Sequence, residues 1–97
     1  MATRRFYRRR FLNRRGYHAG AYVLADLQIL KDTSGERTVD ADLTIADCSR
    51  VTSLDLSAYN VGDARNALHK ARLLRAIVND FTDAFEETLA EVYPKLK

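Results

Sequence analysis

The chain has 97 residues, 46% of them hydrophobic, and this length and composition indicate one small folded domain and exclude a wholly disordered protein. Its single cysteine, Cys48, excludes an internal disulfide, and no apolar run approaches the ~20 residues of a membrane span, so we expect a cytoplasmic protein. The formal net charge of +3 hides an asymmetry, because residues 1–18 hold seven of the sixteen basic side chains and no acid. The rest of the chain, with nine basic and thirteen acidic side chains, carries −4. Such an asymmetry is typical of a basic segment for an anionic partner.

The first element is the stretch RRFYRRRFLNRR, which we interpret as a basic N-terminal arm over residues 1–16, outside the domain of residues 17–97. Arginine forks pair bidentately with phosphate, and interleaved aromatic rings stack on bases. The arm is therefore the predicted nucleic-acid-binding site, and its residues are Arg4, Arg5, Arg8, Arg9, Arg10, Arg14, Arg15, Phe6, Tyr7 and Phe11.

Two other roles for the arm stay open at this point. In a helical arm, Tyr7 and Phe11 would lie four residues apart on one stripe and pack against the sheet. Its arginines would then pair with the chain's own acids, such as Asp40, Asp42 and the acidic end of the C-terminal helix. Alternatively, the arm docks on an acidic surface of a host protein, as a small phage or mobile-element inhibitor would.

Three strands are predicted after the arm, over residues of about 20–30, 38–48 and 50–57. In the first two, apolar and polar residues alternate with a period of two, and the intervening KDTSGER has hairpin-loop chemistry. Val39, Ala41, Leu43 and Ile45 are expected on one face, and Asp40, Asp42 and Thr44 on the other. The fold class is therefore α+β, with an antiparallel hairpin and a probable third strand packed on a long C-terminal helix.

The order of three strands and one helix over about residues 17–93 resembles that of the AP2-type and arm-type integrase N-terminal DNA-binding domains. The resemblance implies a sheet that lies in the major groove of DNA. This chain departs from the plant AP2 pattern because it contains no tryptophan. The expected polar face of its hairpin is also acidic, with Asp26, Asp40 and Asp42, and such a face would repel phosphate.

From Asn60 onward the apolar spacing changes to three and four, which predicts an amphipathic helix over about residues 61–93. Asn60 or Asp63 would cap its start, and Pro94 would stop it. An unbroken helix of about thirty residues is roughly 45 Å long, and a three-stranded sheet is too small to cover its whole length. Either the helix breaks near Asn79–Asp80, or its far end packs on another chain.

Charge along this helix favours a second copy as the partner. Basic residues occupy its first half and acidic residues its second half, which opposes the helix dipole. An antiparallel homodimer relieves this mismatch, with Leu74, Val78, Phe81 and Phe85 as the predicted interface. A helical hairpin within one chain would pair the same halves, and a different protein partner is the remaining alternative.

Enzymatic, metal and cofactor chemistry has no clear signature in the sequence, so we expect no catalytic residue, no metal and no cofactor. His18 and His69 are widely separated along the chain, and His69 lies on a basic helical face. Cys48, at a strand end, is interpreted as a small buried hydrophobe. The sequence thus favours a small nucleic-acid-binding or architectural protein, with a protein-binding module or inhibitor as the alternative.

Overall fold

The computed structural model describes residues 1–96, and its elements follow the chain in simple order. Four strands come first: β1 (Ala2–Phe11), β2 (Ala21–Lys31), β3 (Arg37–Asp47) and β4 (Arg50–Asp55). A long helix α1 (Val61–Val92) and a 3-10 turn (Pro94–Leu96) follow. The strands form one antiparallel sheet in the order β1-β2-β3-β4, in which each strand pairs with its neighbour in sequence.

The predicted α+β class is confirmed, and the sheet is larger than predicted. The strands expected at about 20–30, 38–48 and 50–57 correspond to β2, β3 and β4. Residues 2–11 form β1, an edge strand paired with β2, so they are neither a separate arm nor the helical stripe considered for Tyr7 and Phe11. The sequence concealed this strand because arginines occupy positions that face both sides of the sheet, and this hides a period of two.

A β-bulge in β1 sets which arginines share a face. The register pairs Arg4 with Gln28 and then Phe6 with Leu27, so Arg5 is the extra residue. A bulge breaks strict alternation, and the side chains of its two residues can point to the same side of the sheet. From Phe6 to Phe11, alternate residues again face opposite sides.

The turns that join the strands have clear local causes. Between β2 and β3, Gly35 has a φ of 89°, a left-handed conformation that glycine adopts without steric cost. In the same turn, Asp32 Oδ1 accepts hydrogen bonds from the backbone N–H groups of Ser34 and Glu36, at 2.9 and 3.0 Å. These bonds close a tight loop between β2 and β3, where the sequence predicted a hairpin loop.

Helix α1 begins as the sequence predicts and continues without a break through Asn79–Asp80. Asn60 Oδ1 accepts a hydrogen bond of 2.8 Å from the backbone N–H of Asp63, which caps the first turn. Asp63 Oδ2 in turn accepts from the backbone N–H of Tyr59, at 3.4 Å. The helix ends at Val92, two residues before Pro94, because proline cannot continue the hydrogen-bond pattern. A broken helix folded into a hairpin is therefore not what the chain forms.

Among the residues whose exposure is described, only three hydrophobic side chains are buried, and all are alanines: Ala21, Ala46 and Ala58. Most of the larger apolar side chains of the sheet are half-buried, and Ile45 on the inner strand β3 is 45% exposed. No residue of α1 is buried. None of the described helices combines the length and apolar content that a membrane span requires.

Candidate nucleic-acid interface

Five cations cluster on one side of the sheet, towards β1 and the β2–β3 turn, and we call this side the basic face; a sixth, Arg50, lies on the same side at the far end, opposite Asp47. The pairing register aligns Arg8 and Arg10 of β1 with Ala25 and Val23 of β2, and alternation places these four side chains on one side. Arg5 joins them through the bulge, and the paired strand ends contribute Lys31 and Arg37. The basic face thus carries Arg5, Arg8, Arg10, Lys31 and Arg37.

Three of these cations line one cleft at the edge of the sheet. Arg5, Lys31 and Arg37 surround a space of about 270 Å³, together with Met1, Thr3 and Ile29, and no acidic residue lines it. The backbone amine of Met1 donates a hydrogen bond of 2.8 Å to the Lys31 carbonyl, which holds the two strand ends together. Cations that converge without acids attract an anion of phosphate size.

The opposite side of the sheet carries most of its acids, and we call it the acidic face. Asp26 of β2 is directly opposite Asp42 of β3, which is itself opposite Asp55 of β4. Asp40 lies on the same side and accepts a hydrogen bond of 3.1 Å from the Ser57 hydroxyl. The exception is Asp47, which lies on the side of the basic face at the far end of β3, opposite Arg50. The basic and acidic strand residues are therefore largely separated across the thickness of the sheet.

Burial and neighbouring acids shift the titration of one carboxyl on the acidic face. Partial burial, followed by the carboxylates of Asp40, Asp55 and Asp26, raises the pKa of Asp42 above its usual value of 3.8. Each neighbour favours the protonated form, because protonation removes repulsion between like charges. The clustered carboxylates of Asp26, Asp42 and Asp55 nevertheless make the acidic face repulsive for phosphate.

Arg4 and Arg9 lie on the acidic face. Arg4 Nε is 3.3 Å from Asp26 Oδ1, an ion pair without the alignment of a hydrogen bond. The sequence left open ion pairs of the arginines with Asp40, Asp42 and the acidic helix end, whereas this pair joins one arginine of β1 to Asp26. An exposed pair of this kind contributes less than about 1 kcal/mol.

Arginine and aromatic side chains of β1 lie over one another on both faces. The guanidinium of Arg8 is 5.2 Å from the ring centroid of Phe6, on the basic face. On the acidic face, Arg4 lies 4.7 Å from Tyr7, and Arg9 lies 5.6 Å from Phe11 and 5.3 Å from Tyr22. These cation–π contacts favour particular orientations of the guanidinium groups.

The remaining predicted arginines, Arg14 and Arg15, lie in the connection between β1 and β2 and are exposed. Tyr17 in the same connection is 71% exposed, and its backbone N–H donates to the Arg14 carbonyl at 3.1 Å. The predicted set is therefore divided into three groups: the basic face, the acidic face and this connection.

Two residues of the basic face were missed by the sequence analysis, Lys31 and Arg37. They come together because they are the paired end residues of β2 and β3. The hairpin pattern could have identified them. Side chains two residues apart on a strand share a face, so Arg37 lies on the same face as Val39, and Lys31 on the same face as Ile29.

The interpretation of Cys48 as a buried residue was wrong, because its side chain is exposed. Cys48 has a φ of 56°, an uncommon left-handed conformation for a residue with a side chain. His18 was expected to be isolated, yet the turn at Cys48 lies against it, with Sγ 3.7 Å from both ring nitrogens.

The predicted interface residues lie along one stripe of α1. Leu74 is partly buried, whereas Val78, Phe81 and Phe85 are 50%, 65% and 50% exposed. The Phe81 and Phe85 rings stack with their centroids 5.7 Å apart. In the chain as described, this stripe is a continuous apolar surface.

No protein-family model, curated protein or solved structure matches this chain. The order of elements also differs from that of the AP2-type and arm-type integrase domains, because β1 adds a fourth strand to the sheet.

Proposed function

We propose that this chain is a small nucleic-acid-binding or architectural protein that contacts phosphates through the basic face of its sheet. The phosphate-binding groups are Arg5, Arg8 and Arg10 on the strand, with Lys31 and Arg37 at the cleft. Arg14 and Arg15 extend the same charge into the connection after β1. Phe6, 42% exposed between Arg5 and Arg8, is the stacking platform on this face.

The observation that supports this proposal best is the separation of charge across the sheet. If charge alone kept an edge strand from aggregating, arginines on either face would serve equally well. Instead, the bulge at Arg5 leaves three β1 arginines on the side away from Asp26, Asp42 and Asp55. The two remaining β1 arginines share the acidic face, and one of them forms an ion pair there.

The expected binding mode is largely independent of base sequence. Arg8 and Arg10 are two residues apart on one side of a strand, about 6.6–6.8 Å along its axis, and they present their forks in a row. Contacts with phosphates position a protein on nucleic acid but read little sequence. We therefore expect affinity to depend on salt much more than on base composition.

Binding to short duplex and single-stranded oligonucleotides over a range of salt concentrations tests the proposal. If the five cations of the basic face neutralise phosphates, log affinity falls with log salt at a slope of about −4.5 on a duplex. Replacing Arg5, Arg8 and Arg10 with alanine should lower this slope by about 3 units. A wild-type chain that does not bind at low salt would contradict the proposal. Deleting residues 1–15 is a poorer test, because that deletion removes β1 and exposes the backbone edge of β2.

We further propose that the chain forms an antiparallel homodimer through the apolar stripe of α1. Among the residues whose exposure is described, the buried hydrophobic side chains are three alanines, and pairing of the apolar stripe with a second copy would bury more apolar surface. The basic first half of the helix, with Arg65, Arg72 and Arg75, complements the acidic second half of a second copy, with Asp83, Glu86, Glu87 and Glu91. A dimer also doubles the arginines available to one nucleic acid.

A second candidate function is supported by the apolar centre of the basic face. Leu27 and Ile45 are 36% and 45% exposed on this face, with Arg8 and Arg10 on the neighbouring edge strand and Lys31 and Arg37 at one end. An acidic amphipathic segment of another protein has the matching chemistry, with apolar contacts at the centre and ion pairs at the rim. In this case the salt dependence is shallower, and an oligonucleotide does not compete with the partner.

A further inference from the structure

Two turns meet at the end of the sheet that is opposite the β2–β3 loop, and three metal-binding side chains come together there. They are His18 from the connection after β1, Asp47 at the end of β3 and Cys48 in the turn before β4. The ring nitrogen, carboxylate oxygen and thiol sulfur that they offer lie within 4.8 Å of one another. All three side chains are exposed, so an ion can reach them from solvent.

The distances match those of a tetrahedral metal site. Zinc bonds of ~2.3 Å to sulfur and ~2.0 Å to nitrogen, at a tetrahedral angle, separate the two ligand atoms by about 3.5 Å. The Cys48 sulfur is 3.7 Å from Nδ1 and from Nε2 of His18. Because the sulfur is equidistant from the two nitrogens, an ion between the thiolate and one nitrogen requires the imidazole to rotate until that nitrogen's lone pair points at the ion.

The backbone fixes this approach of the two turns. The Cys48 N–H donates a hydrogen bond of 2.9 Å to the Gly20 carbonyl. A Cβ at Gly20 would be 3.1 Å from the Cys48 Cα and 3.3 Å from His18 Nδ1, so a side chain there would force the turns apart. Glycine at this position thus permits the close contact between His18 and Cys48.

The His18 ring is held from both sides. The Gly20 N–H donates to Nδ1 at 3.3 Å, and the Asn13 amide contacts Nε2 at 3.1 Å and also donates to the His18 carbonyl at 3.0 Å. A metal ion bound at Nδ1 would displace the Gly20 N–H and leave a proton on Nε2, and the Asn13 amide would accept a hydrogen bond from that N–H through its oxygen after a flip of the amide. Partners of this kind raise metal affinity by fixing the ligand's orientation.

We propose that His18, Asp47 and Cys48 form a binding site for Zn²⁺. One sulfur, one nitrogen and one oxygen ligand suit this borderline ion, whereas calcium and magnesium prefer oxygen ligands alone. Three protein ligands leave the fourth tetrahedral position for water. Bound zinc would link the β1–β2 connection to the β3–β4 turn and stabilise the sheet at this end. The site does not depend on the proposed nucleic-acid function.

Titration of the full-length apoprotein with Co²⁺ and Zn²⁺ tests this site. Co²⁺ should bind as one equivalent per chain and give the near-ultraviolet charge-transfer absorption of a cobalt thiolate, and Zn²⁺ should displace it. Cys48→Ser should abolish this absorption, and His18→Gln or Asp47→Asn should lower Zn²⁺ affinity at least ~100-fold. Gly20→Ala should also weaken binding, since it separates the turns while it leaves every ligand in place.

The matched controls are His69→Gln and Asp83→Asn, which remove the same chemical groups from α1 and should leave Zn²⁺ affinity unchanged. Circular dichroism of each variant shows whether its fold is kept. Even if the variants misfold, the absorption of the wild-type cobalt complex reports directly on thiolate ligation. A wild-type chain without that absorption, one ion per two chains, or equal losses in His69→Gln and His18→Gln would overturn the proposal.

Discussion

Asp32 illustrates how one exposed side chain organises a turn in this chain. The hydrogen bond from the Ser34 hydroxyl, followed by those from the backbone N–H groups of Glu36, Ser34 and Gly35, outweighs burial and lowers the pKa of Asp32 below its usual value of 3.8. The folded state therefore favours the ionised carboxylate. Its contribution to stability is complete above pH 3.8 and is lost as the pH falls through the lowered pKa.

We expect Asp32→Asn to be less stable than the wild type at neutral pH, because asparagine keeps an acceptor but loses the charge-assisted bonds. The difference in the free energy of unfolding should shrink as the pH falls below 3.8. Urea denaturation at several pH values measures this difference. A difference that does not change across that range would show that the charge of Asp32 has no role in the turn.

The contribution of Asp42 to stability should change with pH in the opposite direction to that of Asp32. Because its pKa is raised, the folded state binds the proton more tightly than the unfolded state, and stability is lost as the pH rises from 3.8 through the raised pKa. Asp42→Asn should therefore stabilise the chain at neutral pH, by up to about 1 kcal/mol for a cross-strand pair of like charges. The gain should disappear below pH 3.8. Glu36→Gln, at an exposed turn residue, is the control and should show no such gain.

At the scale of single elements, the sequence predicts most of what the structure contains. Periods of two and of three to four residues identified β2, β3, β4 and α1, because each of these elements has distinct polar and apolar sides. β1 was missed because arginines face both sides of this edge strand and a bulge interrupts its alternation. The division of the arginines between the two faces depends on that bulge and on the register with β2, which no local pattern encodes.

At this scale, the proposed dimer through α1 can be tested by substitution. Val78→Asp with Phe81→Asp should convert a dimer into a monomer of 11.1 kDa in sedimentation equilibrium, because two charges would be buried in the apolar stripe. The control is Ala76→Asp with Asn79→Asp, which adds two charges at the same level but on the opposite side of α1. This control should remain dimeric. A wild-type chain that sediments at 11.1 kDa would contradict the helix-mediated dimer.

At the scale of the whole molecule, contacts between distant residues matter most, and they are the least visible in sequence. Lys31 and Arg37 join Arg5 only through hairpin pairing and the bulge. His18 and Cys48 are thirty residues apart and meet only because two turns close at one end of the sheet. The basic composition of residues 1–18 indicated an anionic partner, whereas the surface that would bind it follows from the register of four strands.

The measurement that tests the central claim most directly compares the two faces of β1. Arg8→Ala with Arg10→Ala removes two charges from the basic face, and Arg4→Ala with Arg9→Ala removes two from the acidic face of the same strand. Oligonucleotide binding over a range of salt concentrations should give a slope about 2 units shallower for the first variant and an unchanged slope for the second. Equal losses in the two variants would contradict the account, since they would mean that net charge, and not the face of the sheet, governs binding.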